Sequence, residues 1–268
     1  MILNYNYWYF KSAIPPHICD QIIEHGLTKM YDVVEKFGEK SIEATTGDFR
    51  HRGTTTGEFV EANIPHNGLT AAALKKKGVS AEQSYIRDSH VSWLNDDWLY
   101  QMIWPFVHEA NKSGKWNFDW DATEQLQFTK YAPNQFYGWH ADSSPEPYKS
   151  FDPATDELLK DHEGKLIYDI DGVPIPKDSS RTSHAHLVGK IRKLSVTVSL
   201  SDPADYRGGN LRFDLGPHLK EKRYHLCKEI RPQGSIIVFP SHLYHCVTPV
   251  TTGTRYSLVA WNVGAPFK

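Results

Sequence analysis

From Glu124 onward the chain alternates apolar and polar residues, and this period of two constrains the fold more than any other feature. In the segment KLSVTVSLS (193–201) every second residue is apolar, and serine or threonine fills most positions between them. Because side chains alternate between the two faces of a strand, this pattern predicts one apolar face and one polar face. Seven other segments have short-strand patterning and are separated by Pro, Gly or Asp: LQFTKY, QFYGWHAD, NLRFDL, YHLCKEI, GSIIVFP, YHCVTPV and RYSLVAWNV.

The residues before this region predict helices. After Pro15 and Pro16, the segment HICDQIIEHGLTKMYDVVEKF places Ile18, Ile22, Ile23 and Leu27 at helical spacing. A second helix is predicted in NDDWLYQMIWPFVHEANKSG, capped by Asn95, with four buried residues: Trp98, Met102, Ile103 and Phe106. Residues 47–78 are polar and glycine-bearing, which favours a surface loop over a lid on a substrate site. Helices before about eight short strands predict a mainly β fold with α, a double-sheet jelly roll whose helices pack on one sheet.

We divide the chain into a helix-rich portion, residues 1–123, and a jelly-roll core, residues 124–268, within one structural domain. A long polar insertion interrupts the core at about 143–191. Within it, EGKLIYDIDGVPIP has the pattern of a hairpin that turns at Asp171-Gly172. A length of 268 residues and a hydrophobic content of 40% suit a single domain with one substantial core.

Composition narrows the classes of partner. A net charge of −2 gives no electrostatic reason to expect nucleic acid or an anionic membrane as partner. The opening MILNYNYWYF does not have the pattern of a signal peptide, and no apolar run is long enough to span a bilayer, so we expect no membrane association. Three scattered cysteines do not suit a disulfide framework. A reducing cytoplasm is therefore the expected location.

Two residues two apart on a strand face the same side, so His140 and Asp142 can bind one metal ion together. His245, on another predicted strand, is our candidate for the third ligand. Two imidazoles and one carboxylate form the facial triad of non-haem iron(II) oxygenases, which leaves positions open for a chelating co-substrate and for dioxygen.

Other histidines compete for these roles. A single His-x-Asp pair is a weak signal in a chain with 14 histidines. His184-x-His186 has the same spacing, although it lies in a serine-rich segment without strand patterning. His242 competes with His245, since both belong to the same short segment and a strand presents only one of these two positions to the interior.

Arg255 strengthens the metal hypothesis. It shares one face of the predicted strand RYSLVAWNV with Ser257, Val259 and Trp261, and this face otherwise has a core pattern. A buried arginine needs a carboxylate partner because an unpaired charge in a core is costly. Either an internal salt bridge or a small dicarboxylate bound through the two-pronged guanidinium would satisfy it.

These residues carry a family resemblance. The stretch LQFTKYAPNQFYGWHAD resembles the start of the catalytic core in prolyl 4-hydroxylase-like oxygenases. The segments LSVTVSLSDPADYRGGNLRF and GSIIVFPSHLYHCVTPVTTGTRYSLVAWN are similar to the PKHD-type hydroxylases of bacteria and phages, as are FKSAIPPHICDQII and RDSHVSWL. The resemblance covers most of the chain and is strongest from Leu126 to Asn262.

This resemblance implies a double-stranded β-helix of the jelly-roll, cupin-like type, and a dioxygenase that uses iron(II), 2-oxoglutarate and dioxygen to hydroxylate an unactivated C–H bond. Succinate and CO₂ would be released, and ascorbate is a candidate accessory. The roles that it implies are iron ligation by His140, Asp142 and His245, anchoring of the distal 2-oxoglutarate carboxylate by Arg255, a hydroxyl contact from Tyr131 to the co-substrate, and pocket walls from Tyr137 and Trp261.

The substrate and the chemistry leave alternatives open. Peptidyl proline leads, and a free amino acid, another protein side chain or a small metabolite are the other candidates. A jelly roll that keeps metal and 2-oxoglutarate only as a sensor or interaction module is the main alternative to an enzyme. A zinc hydrolase could use the same three ligands, but that reading leaves Arg255 unexplained.

Overall fold

The computed structural model describes residues 5–38, 43–44, 87–160, 164, 166, 173–178 and 180–267. The loop predicted at 47–78 and the turn predicted at Asp171-Gly172 lie outside these residues. The described part is mostly β-strand, with two α-helices, α1 (Pro16–Phe37) and α2 (Asp97–Ser113). None of its helices is both long enough and apolar enough to cross a membrane. All three cysteines are buried and free.

The strands follow one another along the chain with these bounds: β1 (Trp8–Phe10), β2 (Glu43–Ala44), β3 (Arg87–Leu94), β4 (Ala122–Thr123), β5 (Leu126–Tyr131), β6 (Phe136–His140), β7 (Lys149–Ser150), β8 (Arg181–Thr182), β9 (Ile191–Ser199), β10 (Tyr206–Gly208), β11 (Leu211–Asp214), β12 (Tyr224–Leu226), β13 (Ile236–Pro240), β14 (Tyr244–Val247), β15 (Val250–Gly253) and β16 (Arg255–Gly264). Each of the eight predicted strand segments contains one of these strands, which confirms the strand predictions made from the alternating pattern.

Ten strands form a curled antiparallel sheet in the order β1-β13-β9-β16-β5-β3-β6-β14-β11-β12, with β2 beside β3 and β4 beside β16. The pairs β10–β15 and β7–β8 are separate. The curl occurs at β3, whose first residues pair with β6 and whose later residues pair with β5. We call the part from β1 to β3 the major sheet and the part from β6 to β12 the minor sheet. The two sheets face each other as in a jelly roll, which confirms the predicted fold class.

The apolar face of the major sheet packs against the helices, and its polar face lies towards the minor sheet. Leu194, Val196 and Val198 of β9 are fully buried in a cluster that includes residues of both helices. The alternate residues Ser195 and Ser199 are buried too, at 0% and 1% exposure, on the side that faces the minor sheet. The polar face is therefore the interior of the jelly roll rather than a solvent-exposed surface, and it gives the barrel a polar lining.

Helix α1 confirms the first helical prediction. It begins directly after Pro15, with Pro16 in its first turn, and it ends at Gly38, whose φ of 88° lies in the left-handed region that favours glycine. Ile22 is fully buried, and Ile18, Ile23 and Leu27 pack around the same cluster. The amphipathic pattern of the sequence is thus the face that covers the major sheet.

Helix α2 corrects two details of the second prediction. Asp96, not Asn95, is the residue that precedes the helix, and no side chain caps it. Trp98 is 42% exposed, whereas Leu99, Ile103, Val107 and Ala110 form the buried stripe, with Met102 and Phe106 packed partly against it. The buried face of the helix therefore begins at Leu99, one residue later than predicted, and Trp98 faces away from the core.

The described residues before 124 also contribute strands to the curled sheet. Strand β3 lies in the middle of the curled sheet, and β1 forms its edge beside β13. The alternation in RDSHVSWL is interrupted by charged residues, and its burial alternates only in part. Pairing with β5 and β6, rather than local patterning, makes this segment a strand.

Gly26 is the point of closest approach between α1 and the major sheet. A Cβ atom at this position would collide with the ring of Phe128 on β5, and the carbonyl of Gly26 accepts a hydrogen bond from Ser92 Oγ (3.1 Å). Glycine to alanine normally stabilises a helix by about 1 kcal/mol. Here we expect Gly26→Ala to destabilise the protein by about 1–3 kcal/mol because the core is overpacked.

The measurement is chemical denaturation of Gly26→Ala and of Thr28→Ala, which introduces alanine at an exposed position of the same helix. Thr28→Ala should leave the free energy of unfolding unchanged or slightly raise it. A stabilised Gly26→Ala would contradict the close helix–sheet contact.

Candidate metal centre

Two strands of the minor sheet and the turn after one of them bring three potential ligands together. His140 is the last residue of β6, and His245 lies directly opposite it on β14. Asp142 follows β6, and its amide donates to the carbonyl of Ser241 (2.9 Å). The ligand atoms of these three residues all lie within 4.8 Å of one another. Among the described residues, they form a cluster that could hold one metal ion.

The two imidazoles present the same nitrogen to Asp142. Nε2 of His140 lies 3.4 Å from Oδ1 of Asp142, and Nε2 of His245 lies 3.6 Å from Oδ2. Nδ1 of His140 donates to the carbonyl of Gly138 (2.8 Å), and Nδ1 of His245 donates to the carbonyl of Leu243 (2.9 Å). Since a carbonyl only accepts, these bonds place the proton on Nδ1 and leave Nε2 free to bind a metal.

The charge states suit a metal ion. Burial lowers the pKa of His245 to about 4, so its imidazole is neutral near pH 7. Burial would raise the pKa of Asp142, but the imidazoles of His245 and His140 outweigh it and hold the pKa of that carboxyl well below its usual range. An ionised carboxylate beside a neutral imidazole is what a divalent cation needs.

Serine residues that the sequence did not single out hold the carboxylate in place. Ser195 on β9 donates its hydroxyl to Oδ2 of Asp142 (2.7 Å), and its oxygen also lies 2.9 Å from Oγ of Ser241. Both serines are fully buried. The signal was present in the polar face of KLSVTVSLS, but only the facing of the two sheets shows that this face meets the metal ligands.

The competing histidines lie elsewhere. His242 is exposed and its ring contacts Phe118. His184 and His186 contact each other, with ring centroids 5.8 Å apart, around a 3₁₀ turn (Ala185–Leu187) in the insertion. His242 lies in the turn before β14, and His245, on the strand itself, is the one of the two that is buried.

Arg255 lies in the same cavity as the three ligands. It is 2% exposed, and its Nη1 donates to Ser257 Oγ at 3.3 Å. Within the part of the chain that the structure describes, no carboxylate lies within ion-pair distance of it. The alternative of an internal salt bridge thus has no support there. A buried guanidinium without a carboxylate partner is a binding group for an anion that comes from outside the chain.

The remaining candidate residues also line this cavity, whose volume is about 450 Å³ including the part open to solvent. Tyr131 lies opposite Arg255 in the sheet, with the guanidinium carbon 5.4 Å from its ring centre. Tyr137 stacks on His140 with ring centres 3.5 Å apart. Trp261 is 4% exposed, and its indole nitrogen has no hydrogen-bond partner among the described residues. The structure therefore brings all seven candidate residues to one cavity.

Comparison with known proteins agrees with this arrangement. Residues 126–263, about half of the chain, match the model of the 2OG-Fe(II) oxygenase superfamily. The chain belongs to this superfamily. The matched range runs from the start of β5 nearly to the end of β16, so it contains the three ligands, Arg255 and the intervening insertion.

Individual relatives are similar over shorter ranges. A PKHD-type hydroxylase of Synechococcus sp. is 44% identical over 70 residues, which is 26% of this chain and 28% of that protein. Another from Sphingopyxis alaskensis is 32% identical over 127 residues, 47% of this chain and 38% of that protein. The chain therefore matches less than half the length of each. The viral collagen prolyl hydroxylase of Paramecium Bursaria Chlorella virus-1 has the same fold, with a TM-score of 0.50, 16% identity and 98% coverage of both chains.

The superfamily implies iron(II), 2-oxoglutarate and dioxygen, and the residues fit them. Two free imidazole nitrogens and an ionised carboxylate are the donor set of a 2-His-1-carboxylate iron site. Arg255 offers a buried cation with no internal counter-ion to a dicarboxylate in the same cavity. His140, Asp142 and His245 are the residues that would hold the metal.

Proposed function

We propose that this protein is an iron(II)- and 2-oxoglutarate-dependent dioxygenase that hydroxylates an unactivated C–H bond, with peptidyl proline as the leading substrate. The observation that carries this proposal is the presence, in one cavity, of the three metal ligands and of Arg255, a buried cation without a carboxylate partner among the described residues. A metal hydrolase would need the ligands but would not need this arginine.

Iron(II) at this site supplies the activation of dioxygen that couples decarboxylation of 2-oxoglutarate to succinate and CO₂ with hydroxylation of a substrate. The chain's own residues would bind and orient the co-substrate. Arg255 would hold the distal carboxylate of 2-oxoglutarate, to which its guanidinium can offer a charge-assisted contact. Tyr131, on the neighbouring strand, would donate its hydroxyl to the same co-substrate. Burial and β-sheet packing keep both side chains in place.

Tyr137 and Trp261 form the apolar walls beside the metal. Burial raises the pKa of Tyr137, so its phenol stays protonated and available as a donor. Two aromatic walls suit a compact, apolar ring such as that of proline. The PKHD-type hydroxylases with local identity and the viral collagen prolyl hydroxylase with the same fold support a peptide as the class of substrate.

The test is succinate formation by protein loaded anaerobically with iron(II) and then given 2-oxoglutarate and oxygen, with and without proline-containing peptides. We expect peptide-stimulated succinate formation and the gain of one oxygen atom by the peptide in mass spectrometry. The matched control peptide has alanine in place of each proline. Stimulation by both peptides alike would reject proline as the target.

The same assay separates the alternatives. Slow succinate formation that no peptide stimulates would redirect the search to a free amino acid or a small metabolite. Bound iron without any succinate would favour the sensor or interaction module over the enzyme.

We also infer that residues 1–123 and 124–268 form one structural domain. Support comes from β1 and β3, which lie in the same curled sheet as the strands of the core, and from the helices, which share one buried cluster with β5, β9, β13 and β16.

A further inference from the structure

The insertion that follows Asp142 turns back to the core at Tyr148. The amide of Tyr148 donates to the carbonyl of Lys190 (2.9 Å), and its carbonyl accepts from the amide of Gly189 (2.8 Å), directly before β9. Its hydroxyl donates to Oε1 of Glu124 (2.9 Å), which lies between β4 and β5. The backbone of Tyr148 therefore joins the two ends of the insertion, and its side chain contacts the core at the link between β4 and β5.

Glu124 receives several contacts at once. It is 8% exposed, and its carboxylate accepts from Nε of Arg192 (2.7 Å at Oε1) and from Nη2 (2.6 Å at Oε2). Its amide donates to the carbonyl of Trp261 (2.9 Å). A two-pronged ion pair fixes the relative orientation of both planar groups. The hydrogen bond from Tyr148 also holds the carboxylate of Glu124. The direction of the Arg192 guanidinium therefore depends on a residue of the insertion.

The orientation of Arg192 affects the cavity wall because its guanidinium stacks on Trp261. Its guanidinium carbon lies 3.9 Å from the centre of the Trp261 ring, and its Nη1 is 3.5 Å from the carbonyl oxygen of Asp142. Burial would lower the pKa of Arg192, but Glu124 and its neighbours raise it overall, so the stacked group stays charged. A charged guanidinium lying on an aromatic face restricts the position of that ring.

We propose that Tyr148 is a positioning residue: its hydroxyl holds the Glu124–Arg192 pair against Trp261, and through this contact the 143–191 insertion sets the cavity wall that receives the C–H substrate. This inference rests on the proposed function, since it concerns the substrate of that reaction. The insertion thereby acts as a specificity element. His140, His245 and Arg255 lie outside the chain of contacts through the phenol, and Asp142 meets it only at its backbone carbonyl, through Arg192.

The test compares Tyr148→Phe with wild type and with Tyr256→Phe. Tyr256 lies on the outer face of β16, the strand that carries Trp261, where its ring stacks on Phe128 with centroids 5.8 Å apart. Each variant removes one hydroxyl and keeps the ring. The first measurement is amide hydrogen exchange of iron- and 2-oxoglutarate-loaded protein under argon, followed at residues 142–148 and 189–196. The second is the KM for the stimulating peptide.

We expect exchange in those two segments to accelerate about tenfold in Tyr148→Phe, the ratio that corresponds to losing one hydrogen bond to a charged group. The peptide KM should also rise about tenfold, while kcat and the KM for 2-oxoglutarate stay within about twofold of wild type. Tyr256→Phe should match wild type in both measurements.

Unchanged exchange in the two segments would overturn the positioning role, and so would acceleration spread evenly over the protein. An unchanged peptide KM together with faster local exchange would overturn the role in specificity. Wild-type protein that no peptide stimulates contradicts the proposed substrate class instead, and the exchange measurement then decides the role of Tyr148 by itself.

Discussion

Asp142→Ala and His245→Ala should each abolish succinate formation and reduce iron retention after dialysis. Loss of an outer partner of a metal ligand typically costs 10–100-fold in metal affinity or activity, so loss of a ligand should cost more than about 100-fold. Asp142 is the only negatively charged member of the triad, and both imidazoles point their Nε2 atoms at its carboxylate. Its removal therefore leaves two neutral ligands, which hold a divalent cation poorly.

Two further variants make this test specific. His242→Ala removes an exposed imidazole three positions before His245 in the chain and should leave iron content and turnover unchanged. Ser195→Ala removes the hydroxyl that donates to Oδ2 of Asp142, so an intermediate loss of about tenfold in iron affinity is expected. Wild-type iron content and turnover in His245→Ala would exclude His245 from the ligand set.

Arg255→Ala should weaken 2-oxoglutarate binding about 10–100-fold, which corresponds to the 1.5–3 kcal/mol of a charge-assisted hydrogen bond. The free energy of unfolding without co-substrate should change much less. The arginine has no carboxylate partner among the described residues, so its removal relieves the cost of a buried unpaired charge while it removes packing. The measurement is the KM for 2-oxoglutarate together with the stabilisation that saturating 2-oxoglutarate gives on heating.

Arg255→Lys is the informative companion variant, because it keeps the charge and loses the planar fork. It should bind 2-oxoglutarate better than Arg255→Ala and worse than wild type. Arg207→Ala removes an exposed guanidinium whose hydrogen bonds go to carbonyls of its own loop, and it serves as the control. An unchanged KM for 2-oxoglutarate in Arg255→Ala would remove this residue from the co-substrate site.

The local pattern of the chain was sufficient to locate most strands of the core. In β5, β9, β13 and β16 the apolar residues repeat at every second position or fill the whole strand, so short-range periodicity alone identifies them. Strand β3 was not found in this way. Its charged residues break the pattern, and it becomes a strand by pairing with β5 and β6, which lie later in the sequence.

The candidate site was likewise only partly readable from the sequence. The spacing of His140 and Asp142 implies a shared side of one strand, and the charge of Arg255 on a core-like face implies a carboxylate partner. The choice of His245 over His242 depends on where β14 begins. His242 lies in the turn before the strand, whereas His245 is on it and pairs with His140 of β6. Tyr148, Glu124 and Arg192 are far apart in sequence, so no local pattern connects them.

The sequence by itself determined the fold class, the ligand types and the residues that could bind metal and dicarboxylate, since these follow from periodicity and side-chain chemistry. The tertiary structure decided which of those residues meet. The packing of the two sheets brings Ser195 to Asp142 and leaves Arg255 without a carboxylate within the described chain, and a separate contact joins Tyr148 of the insertion to Glu124. Each depends on strand pairing over long sequence separations, and the local sequence carries little information about such pairing.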